Sequence, residues 1–555
     1  MKLSTLLIAL GLILCLTSCN TAEEELVLQE GEIHGDLHQA NIGKITFMGD
    51  PIPIDEYTEK DFLTAFDLSD NVDLNIRVFL GKTLTYYLHE LAPDLPVNEL
   101  CKKGNYQFSF YVDNRLVYTE NLNSGAGSCW YKNSMTLFRV PLLSTSEEDS
   151  WGRFMWMRFM KKEGGEEALS EGSHILKIEM RPYIETSELK VGNLIAEGQI
   201  SLNIIKTKVD ESQISIQPIS ADSGWNLSKD SYDTAKIRAL NKRIAQNSFK
   251  NITSIVLIKN GELLLEEYFN GANRATLHDT RSVGKSFAST MMGIAIKEGH
   301  IKDEMLTLKD FYDLKKYDNY SANKEKVTIK HLLTMSSGFE GNDMDMESPG
   351  NEEKMYPTSD WVKFALDLPM HEQKIMGEEW AYFTAGAVIL GDIIHQKVPG
   401  GLEKYTHEKL FEPLGIQNYQ WQYTPQEVAN TAGGLQMNSL DYAKYGQLYK
   451  NGGVWKDQQI IPQNWVDASL SQQIALPEDT GGGYYGYLFW NKTYEAGGKT
   501  YEFSAASGNG GNKIFVFKDL PLVVVITATA YGQPYGHVQV DKMMKDNILP
   551  AVINN

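Results

Sequence analysis

The sequence predicts an α+β protein in two parts: an all-β, sandwich-type module, then a larger domain in which one antiparallel sheet is flanked by helices. Three observations carry this. Apolar residues alternate with period two before residue 215. Helical periodicity dominates from 282 to about 475. Strand patterns stand at both ends of that second region. At 555 residues the chain is too long for one compact unit, since domains cluster near 150 residues.

In chain order, Met1-Lys2 and the apolar run Leu6–Leu16 come first. The run is too short to span a bilayer and reads as the core of a secretory signal over residues 1–18. Its ending, Leu16-Thr17-Ser18-Cys19, resembles a bacterial lipobox, which implies lipidation at Cys19 and a polar tether over 19–30. The expected location is therefore exported and membrane-anchored, periplasmic or at the cell surface, with acyl chains holding the membrane. Removing Cys15 with the signal and assigning Cys19 to the lipid leaves Cys101 and Cys129. Two cysteines left in an exported chain most simply form a disulfide. Without a CxxC or histidine neighbourhood they make no metal site.

Between 31 and 215, Val72, Leu74, Ile76, Val78 and Leu80 alternate with polar residues, as do Tyr106, Phe108, Phe110 and Val112. Asp113-Asn114 turns into Leu116-Val117-Tyr118, and Leu176, Ile178 and Met180 alternate with charged residues. Such runs between polar turns predict strands. Residues 208–223, rich in Ser, Asp and Glu, read as a linker before a larger domain over 216–555. There a helix is expected at 232–247, then Ile252–Ile258 and Leu263–Phe269 around Asn260-Gly261, a strong hairpin signal. Further strands are expected at Tyr484–Trp490, Lys513–Lys518 and Leu522–Thr527, and a last helix at 541–548.

Lys+Arg 52 against Asp+Glu 72 gives a net charge of −20, which repels a phosphate backbone and argues against nucleic acid as a partner.

The chemistry concentrates at Ser282-Val283-Gly284-Lys285. Helical positions three apart share a face, so Lys285 can reach the Ser282 hydroxyl. A serine is a poor nucleophile until a base takes its proton, and only an uncharged amine can do so. Burial beneath an apolar helix and the positive helix N-terminus both favour the neutral amine. The same terminus offers the Ser282 N–H to an oxyanion. S-x-x-K also occurs at Ser187–Lys190 and Ser321–Lys324, but only Ser282 stands between a hairpin and an apolar helix (Phe287, Met291, Ile294, Ala295) closed by Gly299. Read alone, Ser282 as a helix cap with a solvated lysine is the alternative.

Arg281–Phe287, Val327–Gly338, Gly377–Tyr382, Phe411–Ile416 and Ala432–Leu435, in that order, resemble the serine β-lactamase/penicillin-binding-protein superfamily, most of all its class C and esterase-like branch. The resemblance covers about 230–540 and implies a β-lactamase/transpeptidase-like fold without a cofactor. It further implies that Ser282 is the acylated nucleophile, Lys285 its base and Tyr382 a proton shuttle, with Thr384 in the place of the family's Tyr-x-Asn or Tyr-x-Ser. The family's third element, Lys-Thr-Gly or His-x-Gly, is matched by Ala506-Ser507-Gly508-Asn509, which lacks the cation. Ser507, Gly508 and Asn509 are the expected substrate contacts, and the Asn509 N–H the second oxyanion donor. Losing the cation moves the expected substrate from a β-lactam or peptide carboxylate toward a neutral ester or amide, with a small molecule or peptide as acyl donor. D-alanyl peptidase or β-lactamase activity, or a non-catalytic envelope-binding role, is the alternative.

Several near-motifs carry no chemistry. Ser69-Asp70-Asn71 lies in the wrong module, and Lys499-Thr500-Tyr501 lacks the glycine. His34 and His38 have no carboxylate or cysteine company, and His331 reads as a packed or capping residue. Tyr484, Tyr485, Tyr487, Phe489 and Trp490 read as strand core with one or two facing the cleft.

Overall fold

The computed structural model describes residues 26–69, 72–146, 148, 150–220 and 222–553. The signal segment, Cys19 and the Asp70-Asn71 part of the Ser-Asp-Asn sequence lie outside the described residues. No helix among the described residues is long and apolar enough to cross a membrane.

Two compact units meet at Ile205/Lys206, ahead of the composition change at 215. In the first, the alternating runs become strands: Lys44–Met48 (β1), Ala65–Leu68 (β2), Leu74–Phe79 (β3), Gly104–Val112 (β4), Arg115–Asn121 (β5), Leu137–Leu143 (β6), Gly172–Glu185 (β7), Leu189–Val191 (β8) and Ala196–Ile204 (β9). Asp113 and Asn114 adopt φ of 48° and 66°, the left-handed pair a two-residue hairpin needs, so the β4–β5 turn falls where the sequence places it.

In place of the expected two-sheet sandwich there is one hydrogen-bonded sheet, in the order β5-β4-β7-β9-β1-β3-β6, with β2 on β9 and β8 on β7. Most pairings are antiparallel; β9 meets β1 and β2 in parallel. Helices at Leu84–Leu91, Val97–Lys103 and Trp151–Lys161 also belong to this unit, and the period-two reading passed over them. Leu84, Leu88, Leu100, Met155 and Phe159 join Ile76, Phe108, Phe110 and Ile178 in one apolar core. Cys101 and Cys129 form a disulfide, Cα–Cα 5.2 Å. Beside it the buried Lys132 ammonium donates to the carbonyls of Cys101 (2.7 Å), Gly104 (3.1 Å) and Ser124 (2.6 Å).

Two stretches read as loose chain are tied down. The tether's end binds the first unit: Asn133 Nδ2 donates to Val27 O (2.9 Å) and Thr83 N to Glu30 O (3.0 Å). The linker packs on the second unit, where Gln217 exchanges bonds with Tyr268 and its N–H donates to Glu267 Oε1 at 2.8 Å. Both outcomes have one cause: polar side chains and backbone groups found partners that composition does not reveal.

In the second unit Thr234–Ala245 is helical, and Ile252–Lys259 (β10) and Glu262–Tyr268 (β11) form the hairpin over Asn260 (φ 53°) and Gly261 (φ 78°). His278–Asp279 (β12), Tyr419–Trp421 (β13) and Leu435–Met437 (β14) make a small sheet. Val454–Trp455 (β15) and Gln458–Gln459 (β16) pair with each other. Ile474–Ala475 (β17), Tyr484–Tyr485 (β18), Trp490–Ala496 (β19), Lys499–Gly508 (β20), Asn512–Phe517 (β21) and Leu522–Ala528 (β22) complete the main antiparallel sheet, β11-β10-β22-β21-β20-β19-β18-β17.

The expected single strand Tyr484–Trp490 is broken in two by Leu488, whose φ is +62°. β20 was not anticipated; its polar start, Lys499-Thr500, hides it. One face of the sheet packs on Thr234–Ala245 and the C-terminal helices, through Phe515, Val524, Ile526 and Met543. The other carries the helices Val283–Lys297 and Ser439–Lys450.

Candidate active site

Ser282 stands at the start of the Val283–Lys297 helix without a side-chain capping bond, and that helix is buried on nearly every face from Val283 to Ala295. Helices this apolar sit inside a domain, so Lys285, one turn in, is drawn into the core with 1% exposure. Its Nζ donates to Ser282 Oγ at 2.6 Å and to the Ala432 carbonyl at 2.7 Å. Burial lowers the Lys285 amine from the ordinary lysine value, with the charges of Glu352 and Asp343 opposing. A buried amine with one hydroxyl and one carbonyl partner is the arrangement a proton acceptor needs.

Three glycines let backbone crowd this turn. A Cβ on Gly508 would lie 1.9 Å from Thr280 O and 3.0 Å from Ser282 N, so β20 runs directly against the Ser282 amide. Gly433 would bring a Cβ to 2.9 Å from the Arg281 carbonyl carbon, and Gly284 one to 3.3 Å from Gly433 Cα. This is the physical content of the Ala432-Gly433-Gly434 sequence: it delivers a carbonyl to Lys285 at a distance only glycine permits. Arg281, at φ 52°, carries the strain of the elbow; its guanidinium stacks on Tyr531 at 4.5 Å and pairs with Asp279.

Tyr382 arrives from a separate segment. Gly377 N and Ala381 N donate to Ser336 O and Met335 O, both at 2.9 Å, so the Thr334–Gly338 sequence is the shelf on which the tyrosine loop rests. The Lys285 ammonium position is 5.2 Å from the Tyr382 ring centre. Burial raises the Tyr382 phenol, and a hydrogen bond with Ser282 offsets part of the rise. Ser282, Lys285 and Tyr382 are thus brought together. His331 holds the same shelf, its Nδ1 accepting the Thr328 N–H at 3.2 Å. His38 likewise spends both ring nitrogens on backbone, at His34 N and Leu80 O.

Thr384 is fully buried at the start of the Thr384–Lys397 helix, with its N–H on Asp343 Oδ2 at 2.7 Å. Ser507 is half-buried near the end of β20, Gly508 is buried beside Ser282, and Asn509 is exposed in the turn to β21. Asn509 Oδ1 accepts the Gly532 N–H at 3.0 Å, which fixes that turn against the following loop. Ala506, expected from the resemblance at the cation position of the third element, is fully buried and pairs with Ile514 across the strands.

Across the site Tyr382 stacks on Trp490 (5.9 Å, 28°), and Trp380 and Tyr485 close the cluster. Trp380, absent from the sequence reading, sits two residues before Tyr382. Asp343 was missed as well, since a lone aspartate in a polar loop gives no periodic signal. Burial and the Glu352 charge raise its carboxyl to about 6.

A serine on a helix start, a buried lysine one turn on, a tyrosine from a second segment and a glycine strand alongside define a β-lactamase/penicillin-binding-protein type of domain. Residues 248–542, just over half of the chain, match the Beta-lactamase family model, and the chain belongs to that family. It is 22% identical over 194 residues to "Protein flp" of Staphylococcus aureus (strain N315), covering 33% of this chain and 37% of that protein's length. Among solved structures, a penicillin-binding protein homologue from Pyrococcus abyssi is 22% identical, covering 57% of this chain and 79% of its own, with a TM-score of 0.44. A family VIII carboxylesterase is 18% identical, covering 60% and 99%, with a TM-score of 0.44.

Proposed function

We propose that the protein is a serine hydrolase that forms an acyl-enzyme on Ser282 and acts on a neutral ester or amide. The observation that carries this is the 2.6 Å contact between Lys285 Nζ and Ser282 Oγ in a site where the lysine is buried. Lys285 takes the hydroxyl proton, Oγ bonds to the acyl carbon, and the Ser282 and Asn509 N–H groups receive the oxyanion. Tyr382 passes the proton to the leaving group as its bond to the acyl carbon breaks. Water repeats the sequence in reverse and frees the acid.

The preference for a neutral substrate rests on Ala506 in place of a cation and on the Tyr382–Trp490 wall, which suits an apolar acyl or alcohol group. D-alanyl peptidase or β-lactamase activity is the second reading.

A fluorophosphonate probe, followed by peptide mapping, should label Ser282 and fail on Ser282→Ala. p-Nitrophenyl esters, nitrocefin and D-amino-acid amides assayed side by side separate the readings. Folded wild-type protein that takes no label and turns over none of them would overturn the hydrolase reading in favour of a binding role.

Lipid anchoring through Cys19 is part of the proposal, supported by the Leu16–Cys19 sequence. Expressed from its full gene in a bacterium, the protein should partition into detergent, and Cys19→Ser should move it to the aqueous phase.

A further inference from the structure

Asp343 belongs to none of the family-like segments, yet it contacts the tyrosine loop through both its backbone N–H and its side chain. Its N–H donates to the Tyr382 carbonyl at 2.8 Å. Its Oδ2 accepts the Thr384 N–H at 2.7 Å, and its Oδ1 accepts the Glu352 N–H at 2.8 Å. Asn351 Nδ2 donates to the Asp343 carbonyl at 3.2 Å, tying the loop to the same turn. A single aspartate therefore holds the chain at the Tyr382 carbonyl and again at the Thr384 N–H two residues on, bracketing the segment that carries the tyrosine.

We propose that Asp343 is the positioning residue that seats Tyr382 against Ser282 and Lys285, and that its carboxylate, with that of Glu352, stabilises the charge on Lys285 after proton transfer. The inference rests on the Ser282 reading above. When the Ser282 proton moves to the neutral amine and Oγ bonds to the acyl carbon, Lys285 becomes a buried ammonium, whose contacts among the described residues are a hydroxyl, a carbonyl and an aromatic face. A buried cation without an anion nearby is costly. Among the described residues, Asp343 and Glu352 carry negative charge that favours the Lys285 ammonium and bears on Tyr382, and Asp343 joins the two by bonding the Tyr382 carbonyl and the Glu352 N–H. Tyr356 O–H donates to Glu352 Oε2 at 2.7 Å and holds that carboxylate in place. The proton leaves Lys285 through Tyr382 for the departing alcohol or amine, and the amine is neutral again.

The sign is definite. Removing either negative charge makes Lys285 easier to deprotonate in the free enzyme and its ammonium harder to form in the transition state. The test uses the full protein and p-nitrophenyl butyrate, with fluorophosphonate labelling of wild-type Ser282 measured first. Asp343→Asn keeps an acceptor for the Thr384 N–H. It should lower plateau kcat about tenfold, leave KM within about twofold and move the acid limb of kcat/KM to lower pH. Glu352→Gln should move the limb the same way with a smaller loss.

A merely structural aspartate would lower activity without moving the limb. An unmoved or upward-moving limb in Glu352→Gln, which leaves the Tyr382 bracket intact, overturns the inference even if Asp343→Asn does not fold. A wild-type protein that takes no label sinks the hydrolase reading and this inference together. Labelled Ser282 with unaltered variants sinks this inference alone.

Discussion

Gly508 lies against Ser282 so closely that a methyl group on it would stand 3.0 Å from the Ser282 amide nitrogen and 1.9 Å from the Thr280 carbonyl oxygen. Neither neighbour is a flexible side-chain end, so the strand itself must retreat. The proposed oxyanion pair consists of one N–H from each side of this contact. Gly508→Ala is thus expected to lower kcat/KM for p-nitrophenyl esters by about 100-fold or more. Full activity in a folded Gly508→Ala protein would remove β20 from the reaction.

Lys285→Met should reduce turnover by about three orders of magnitude. It also has a stability signature. The folded-state pKa of Lys285 is depressed, so the unfolded chain binds the extra proton, and wild-type stability rises with pH up to the unfolded lysine value near 10.4. Lys285→Met lacks this dependence. Its melting temperature should equal or exceed that of wild type at pH 7, and the gap should shrink toward pH 10. A gap that widens instead would mean the amine is charged when folded.

Glu267 offers a second pH test, away from the chemistry. It is fully buried on β11, accepts bonds from Gln217 N and Asn241 Nδ2, and burial raises its carboxyl to about 7. In the folded protein it holds its proton to higher pH than in the unfolded chain, so its contribution declines as pH rises from about 4.5 to 7. Glu267→Gln should therefore gain on wild type by of order 2–3 kcal/mol between pH 5 and pH 8 in urea titrations. A constant difference across that range would show the group ionises freely.

The Cys101–Cys129 bridge closes a separation of 28 residues. Reduction, or Cys101→Ala with Cys129→Ala, should destabilise the first unit by about 3–4 kcal/mol. Calorimetry with and without reductant reads the shift, and an unchanged melting profile would mean that the bridge is not formed in solution.

How much of this was legible in the sequence depends on what kind of signal each part leaves. Strands with alternating faces, the Asn260-Gly261 hairpin and the Ser282–Lys285 helix are local patterns, and the structure has them where the sequence places them. β20 and the helix Trp151–Lys161 escaped because polar or aromatic residues interrupt the period. Leu488 at positive φ could not be foreseen, since nothing about a leucine favours that conformation; its carbonyl accepts the Ser286 hydroxyl at 2.6 Å, a tertiary constraint. Ser282, Lys285 and Tyr382 could be named in advance. Asp343 could not, because its contacts exist only where two backbone N–H groups converge on its side chain and the Tyr382 carbonyl accepts its own N–H.

Where the acidic stretch after Ile205 docks decides where the second unit can be severed. Glu211 pairs with Arg238, Thr207 O accepts Gln246 Nε2, and Gln217 answers both Glu267 and Tyr268. A fragment begun at residue 224 would strip a partner from an interior carboxylate and expose the edge that Gln217 covers. The smallest autonomous piece accordingly starts near 206, and a protease that trims this strip would loosen the unit rather than liberate it.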